Sequence, residues 1–220
     1  MNILMKYTNL AAALHTLSAR HLTLLDPGRW DDRNDAHLMR RYREASGAPA
    51  VLATCFTQTA DTYHHWRVFA GGSDGVRLEI DKDKLLASLR DVDGIVTGEV
   101  RYLQVQEFRQ GAFTINDLPF IKRHPYADER ESRILRHLDS RATEAVLPIK
   151  LAWVKRVTIS PWMAPALAKT VKTSLRAIDG CARLKAYQST LINNRDWRSA
   201  ADRLTAPPPA GRPGPTANGQ

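Results

Sequence analysis

The sequence predicts an α+β domain built from mixed, largely antiparallel sheets with short flanking helices. Three observations carry that expectation. Apolar and polar residues alternate over short runs, the period of half-buried strands. Between these runs, apolar residues recur every three or four positions over short stretches, as on amphipathic helices. The two kinds of segment interleave without the steady strand–helix–strand alternation of a parallel sheet.

Taken in order, Lys6-Tyr7 opens a short strand, and Leu10, Leu14 and Leu17 then recur at helical spacing. His21–Leu25 reads as a strand ended by Asp26-Pro27-Gly28. Asn34 or Asp35 is expected to cap a helix carrying Leu38, Met39, Tyr42 and Ala45 on one side. Ala50 to Phe56 is a buried-strand pattern, and Asp61 to Ala70 a short helix with Tyr63, Trp66 and Phe69 near one face. After the loop Gly71–Gly75, Val76, Leu78 and Ile80 alternate with Arg77 and Glu79 on a strand. Lys82 to Leu89 reads as a helix, and Ile95 to Val105 alternates again. Ala145–Ala152 and Val154–Ile159 are strand-like, and Ser160-Pro161 is a cap-and-first-turn pair for a helix carrying Met163, Leu167, Val171, Leu175 and Ile178, closed by Gly180. A short strand near Arg183–Tyr187 and a helix over Arg195–Leu204 follow.

Residues 1–204 are therefore expected to form one globular domain. Residues 205–220, rich in proline and glycine and nearly without apolar bulk, are expected to be a disordered tail. No apolar run approaches the roughly 20 residues needed to span a bilayer, and the N-terminus lacks the pattern of a signal peptide, so a cytoplasmic location and no membrane partner are expected. With only Cys55 and Cys181, neither a disulfide framework nor a paired-cysteine zinc site is available. No metal is expected elsewhere. Asp31, Asp32 and Asp35 lie at a turn and helix start, where capping accounts for at least one of them and Arg33 is interleaved, and His64-His65 lack the i, i+4 spacing of a zinc pair. A net charge of +9 favours an anionic partner.

The segment Phe120–Leu135 is the most informative. Glu129 and Glu131 sit two apart, with Arg133 two further on; in an extended strand the three share a face, whereas in a helix the two acids would point about 200° apart. Like charges side by side on a pleat repel. Two readings stand: a site that needs both acids, or a solvated strand face paired with Arg130 and Arg133.

Several blocks together resemble the bacterial domain-of-unknown-function family 2971. They are Lys6-Tyr7; Leu22-x-Leu24 followed by Pro27 and Asp32-Arg33-Asn34-Asp35; Cys55-Phe56-Thr57; Trp66 with Gly75-Val76 and Glu79; Lys122, Tyr126 and Glu129-x-Glu131-x-Arg133; and Ser189-Thr190-Leu191. The chain also resembles, more distantly, ADP-ribosyltransferases of the arginine-serine-glutamate type. These carry a basic or imidazole residue on the first strand, a strand ending in Ser-Thr-Ser, and a later Glu-x-Glu. Here Lys6 and Cys55-Phe56-Thr57 stand at the first two places and Glu129-Arg130-Glu131 at the third.

This second resemblance implies a split-sheet fold and an NAD-using transferase or NAD hydrolase, acting as a toxin or phage-defence effector on a protein or nucleic-acid acceptor. By that analogy Glu131 offsets charge on the ribose and Glu129 orients or deprotonates the acceptor. Lys6 binds pyrophosphate, Thr57 shapes the nicotinamide pocket or holds Glu131, and Arg133 belongs to the cofactor site. Tyr7, Tyr63 or Trp66 stacks on a flat ring. Two other classes remain. A non-catalytic nucleic-acid-binding module requires Arg40, Arg41, Arg43, Lys169, Lys172 and Arg176 to converge on one face. A protein-interaction domain requires no cleft near Glu131.

Overall fold

Asn9 closes the first strand, β1 (Ile3–Asn9), and caps α1 (Leu10–Ala19) by accepting the Ala12 amide at 2.8 Å. After β2 (His21–Leu25) the Asp26-Pro27-Gly28 turn leads into α2 (Arg33–Ser46), which Gly47 ends in the left-handed region at φ 69°. There follow β3 (Ala50–Thr57), α3 (Tyr63–Phe69), β4 (Gly75–Asp81), α4 (Lys82–Ala87), β5 (Ile95–Glu99), β6 (Arg101–Leu103), α5 (Val105–Gln110), β7 (Ile121–Arg123), β8 (Glu131–Leu138), β9 (Glu144–Pro148), β10 (Val154–Ile159), α6 (Pro165–Ala177), β11 (Ala186–Gln188) and α7 (Arg195–Thr205). The computed structural model describes residues 2–205, so the tail expected over 205–220 lies, apart from the backbone of Thr205, outside the described residues.

Nine of these strands form one sheet in the order β11-β10-β4-β1-β3-β2-β9, with β8 on the other edge of β3 and β5 beyond it. The sheet is mixed but mainly antiparallel, as expected for an α+β fold. It is also split. β1 pairs with β4 along its whole length, and β3 with β8 along its whole length. Yet β3 meets β1 only at Met5↔Thr57 and β2 only at Leu25↔Ala53. Between those two points the strands diverge and leave an opening.

Strand alternation then builds a core on each face. Leu52 and Phe56 of β3 pack with Leu17 of α1 and with Ala168, Val171 and Leu175 of α6. Val51 and Ala53, on the opposite face, pack with Leu135 of β8 and with Met39 and Tyr42 of α2. On the α2 side, Gly98 of β5 allows the Phe120 ring to lie against the strand; a Cβ there would come within 2.8 Å of it.

Three local expectations are corrected. Asp32, not Asn34 or Asp35, caps α2: its backbone is extended (φ −70°, ψ 102°) and its carboxylate accepts the Asn34 amide at 2.9 Å. The helix expected from Ser160-Pro161 starts at Pro165, because the Ser160 hydroxyl accepts the Trp162 amide at 3.2 Å and closes a separate turn first. The alternation over Ile95–Val105 is cut at Val100, whose amide bonds the Glu131 carbonyl at 2.9 Å; beyond it, β6 pairs in parallel with β7 in a second, two-stranded sheet.

Candidate active site

The opening between β1 and β3 is the mouth of a cavity of about 650 Å³, within the usual range of small-molecule sites. Lys6 and Tyr7 of β1, Cys55 and Thr57 of β3, and Glu129 and Glu131 line it together. Trp30, Phe69 and Tyr126 add aromatic wall.

The two acids meet by a route other than the expected one. Glu129 is not on a strand; it ends a 3-10 turn, His124–Glu129. Arg130 follows in the left-handed region, at φ 43° and ψ 54°, which is uncommon for a residue with a side chain. Glu131 then begins β8. The reversal at Arg130, rather than pleat alternation, brings the two carboxylates to a common cation. Lys122 Nζ donates to Glu129 at 2.6 Å and to Glu131 at 3.3 Å. Both acids are buried, so the reading of a solvated strand face does not describe them.

Beneath them lies Arg133, wholly buried. It donates to Glu131 through Nε at 2.9 Å and Nη2 at 2.8 Å, to Asp35 of α2 at 2.8 and 2.5 Å, and to the Pro119 carbonyl at 2.8 Å. All five guanidinium N–H groups are thereby used, which is what a buried arginine requires. Its planar face lies 4.8 Å from the Trp30 ring, and the Lys122 ammonium 4.8 Å from that of Tyr126. The Tyr102 hydroxyl accepts the Glu131 amide at 2.8 Å.

This arrangement drives the two acids apart electrically. Burial alone would raise Glu131, but the Arg133 guanidinium, then Lys122, outweighs it and holds the carboxyl at about 2. Burial raises Glu129 to about 7 against the pull of Lys122, with the Glu131 charge adding to the rise. Burial also lifts the Asp35 carboxyl, against the pull of the Arg133 guanidinium that both its oxygens accept from. Desolvation lowers the Lys6 amine, which donates to the Thr54 hydroxyl at 2.7 Å. Cys55 is pushed well up by burial and then by Glu131, so it is a thiol and not a nucleophilic thiolate.

Of the residues singled out from sequence, Lys6, Tyr7, Thr57, Glu129 and Glu131 line the cavity together. Two others do not. Trp66 is 0% exposed, edge-on to Tyr7 at 5.1 Å, with its indole N–H on Asp61; helical spacing turned it into the core, where no ligand ring reaches it. Arg133, also 0% exposed, lies under Glu131 and does not line the cavity itself; it touches lining residues, Glu131, Asp35 and Trp30. Thr57 donates to the Glu129 carbonyl, not to Glu131, and so pins the turn. Tyr63 is exposed and stacks with Trp162 outside the cavity.

Asp35 and Lys122 had been given no role at the site. Asp35 carried a signal: it falls on the stripe with Met39 and Tyr42 at i, i+4 and i+7, an acid on an inward face. Nor do the expected basic residues converge. Arg40, Arg41 and Arg43 belong to α2 and Lys169, Lys172 and Arg176 to α6, helices packed on opposite faces of the sheet.

Fold and site together define an α+β domain whose split sheet opens into a cavity floored by a buried, unequal pair of carboxylates. No model of a known protein family matches the chain. No curated protein matches it. Three solved structures of DarT from Thermus sp. 2.9 are similar to it. The complex with ADP-ribosylated ssDNA has a TM-score of 0.47 at 12% identity, covering 89% of this chain and 95% of that one. The complex with NAD+ scores 0.45 at 10% identity (89% and 96%), and that with carba-NAD+ 0.44 at 10% (89% and 97%). Likeness at this level assigns no chemistry to this chain. Among the described residues no helix is long and apolar enough to cross a membrane.

Proposed function

We infer that the chain is an NAD-using enzyme that transfers ADP-ribose to a protein or nucleic-acid acceptor, or to water, in the cytoplasm as a toxin or defence effector. The observation that carries this reading is the pair at the cavity floor: Glu129 and Glu131 buried together on Lys122, with Arg133 lowering Glu131 and burial raising Glu129. Two titratable groups pushed apart by their surroundings take different chemical roles. The order of Lys6-Tyr7, Cys55-Phe56-Thr57 and Glu129-x-Glu131 supports the same class.

In this reading the bond between ribose C1′ and the nicotinamide nitrogen breaks, and the pyridinium takes the electron pair and leaves neutral. The Glu131 carboxylate accepts a hydrogen bond from a ribose hydroxyl and offsets the positive charge that develops on the ring. Arg133 and Lys122 keep that carboxylate ionised and still. As the acceptor oxygen or nitrogen bonds to C1′, Glu129 takes its proton. Lys6 and Arg29 line the cavity with no carboxylate within ion-pair distance among the described residues, and Lys6 takes the pyrophosphate. Tyr7 and Tyr126 offer ring faces or edges to the flat parts of the ligand.

NAD consumption by purified full-length protein, followed by chromatography, tests this. Glu131→Gln is expected to lose about 10²–10³-fold in turnover while still unfolding cooperatively. Wild-type protein that leaves NAD intact with and without candidate acceptors, or Glu131→Gln turning over at the wild-type rate, overturns it.

A further inference from the structure

On the other side of the 26–36 segment that walls the cavity lies a second concavity, of about 420 Å³. Arg33, His37, Arg40 and Arg43 line it along one face of α2. Their i, i+4, i+7 and i+10 spacing keeps them within about a third of the helix circumference. Ala36, Met39 and Val51 form an apolar floor, and the Asp26-Pro27-Gly28 turn is the opposite wall.

The charge in this groove is not neutralised from within. Arg33, Arg40 and Arg43 make no ion pair among the described residues, whereas the neighbouring Arg41 is held by Glu44 at 2.9 Å and faces away from the groove. Arg40 donates to His37 Nδ1 at 2.9 Å, and no carboxylate holds it among the described residues. One acid among the lining residues, Asp26, faces the three arginines; its carboxylate accepts the Gly28 amide at 2.9 Å, and the groove keeps a net positive charge. Three guanidinium groups facing one concavity offer paired N–H donors in a fixed plane, which phosphoryl oxygens match two at a time. Carrying the cations along a helix at 1.5 Å per residue spreads them over about 15 Å, longer than a single phosphate and suited to several phosphoryl groups in series.

We propose that this groove is a binding site for a ligand bearing successive phosphoryl groups, separate from the cavity of the carboxylates and independent of the reading given to that cavity. A nucleic-acid strand and a short polyphosphate chain present the same chemistry to it. The ligand lies beside the cavity, since both concavities use the same stretch of chain as a wall.

The test is a fluorescence-anisotropy titration of full-length protein with a labelled single-stranded oligonucleotide, competed with tripolyphosphate and with inorganic phosphate. Arg40→Ala and Arg33→Ala are each expected to weaken binding about tenfold and to flatten its salt dependence. Arg41→Ala and Arg176→Ala, outside the groove, are expected to leave it within about twofold. All four arginines are exposed or at the helix surface, and thermal melts check that the variants fold. An oligonucleotide that outlasts tripolyphosphate at equal phosphate content, or the reverse, supports the site and names the source of its ligand. Equal losses from all four variants, or no binding of any probe at low salt, overturn it.

Discussion

The molecule buries two networks of acids and bases, and they are not alike. One joins Asp61, Arg77, Glu79 and Arg156 between α3, β4 and β10. The other joins Asp35, Lys122, Glu129, Glu131 and Arg133. The first sets two acids against two cations. Its acids keep some water: the side chain of Asp61 is 29% exposed and that of Glu79 13%. The second sets three acids against two cations, and none of its members reaches a tenth exposed. A balanced network ties strands together. In an unbalanced one in a dry place burial drives a carboxyl upward, and here the one raised to about 7, Glu129, lies on the cavity wall.

The contrast breaks most readily at its two arginines. Arg133→Met leaves Asp35 and Glu131, both nearly dry, with Lys122 alone at 3.6 and 3.3 Å, and is expected to cost about 3–5 kcal/mol in urea unfolding. Arg77→Met leaves Asp61 and Glu79 partly hydrated, with Arg156 still 3.6 Å from Glu79, and is expected to cost less, about 1–3 kcal/mol. Equal losses would erase the distinction between the networks.

The two glutamates sharpen it through pH. Glu131 titrates at about 2 in the fold against 4.5 ordinarily, so its contribution to stability is complete above 4.5 and lost as pH falls from there toward 2. Glu129 runs the other way: raised to about 7, its contribution is complete below 4.5 and lost as pH rises from 4.5 to 7. Melting temperatures across this range should show Glu129→Gln gaining on the parent between pH 4.5 and 7. The deficit of Glu131→Gln should narrow only below 4.5. Parallel curves for both variants would mean that the acids share one environment.

Asp35→Asn converts the second network to two acids and two cations. Lys122 and Arg133 then turn wholly to the glutamates, and the Glu129 midpoint is expected to fall by about one unit. Carbon-13 NMR of the glutamate side-chain carboxyls reads that midpoint directly, whether or not NAD is consumed, and an unmoved resonance would remove Asp35 from the account. The smallest effect belongs to the exposed pair on α2. Arg41→Ala should change stability by less than about 0.5 kcal/mol, and a larger change would show that surface charge matters here as much as buried charge.

How far the site was legible follows from the same comparison. Arg77 and Glu79 alternate on one strand, and such neighbours announce themselves by spacing. Glu129 and Glu131 did so too, although for a mistaken reason: a pleat was expected where a 3-10 turn and a left-handed Arg130 do the joining. Trp66 was misread because inward spacing on a short helix looks the same whether the ring meets a ligand or the core. Asp35 went unassigned because its partner Arg133 lies 98 residues along the chain, and Lys122 because the turn between it and Glu129, seven residues on, brings them together only in the fold.

The period of the apolar residues, the capping chemistry of Asn9 and the alternation of the strands are settled within a few residues of chain, and they fix which segments become helix and which strand. The splitting of the sheet, the meeting of Asp35 with Arg133 and the uneven protonation of Glu129 and Glu131 are decided only when distant segments pack. A carboxylate's charge depends on what surrounds it, and burial and ion pairing are properties of the folded assembly, not of the local sequence.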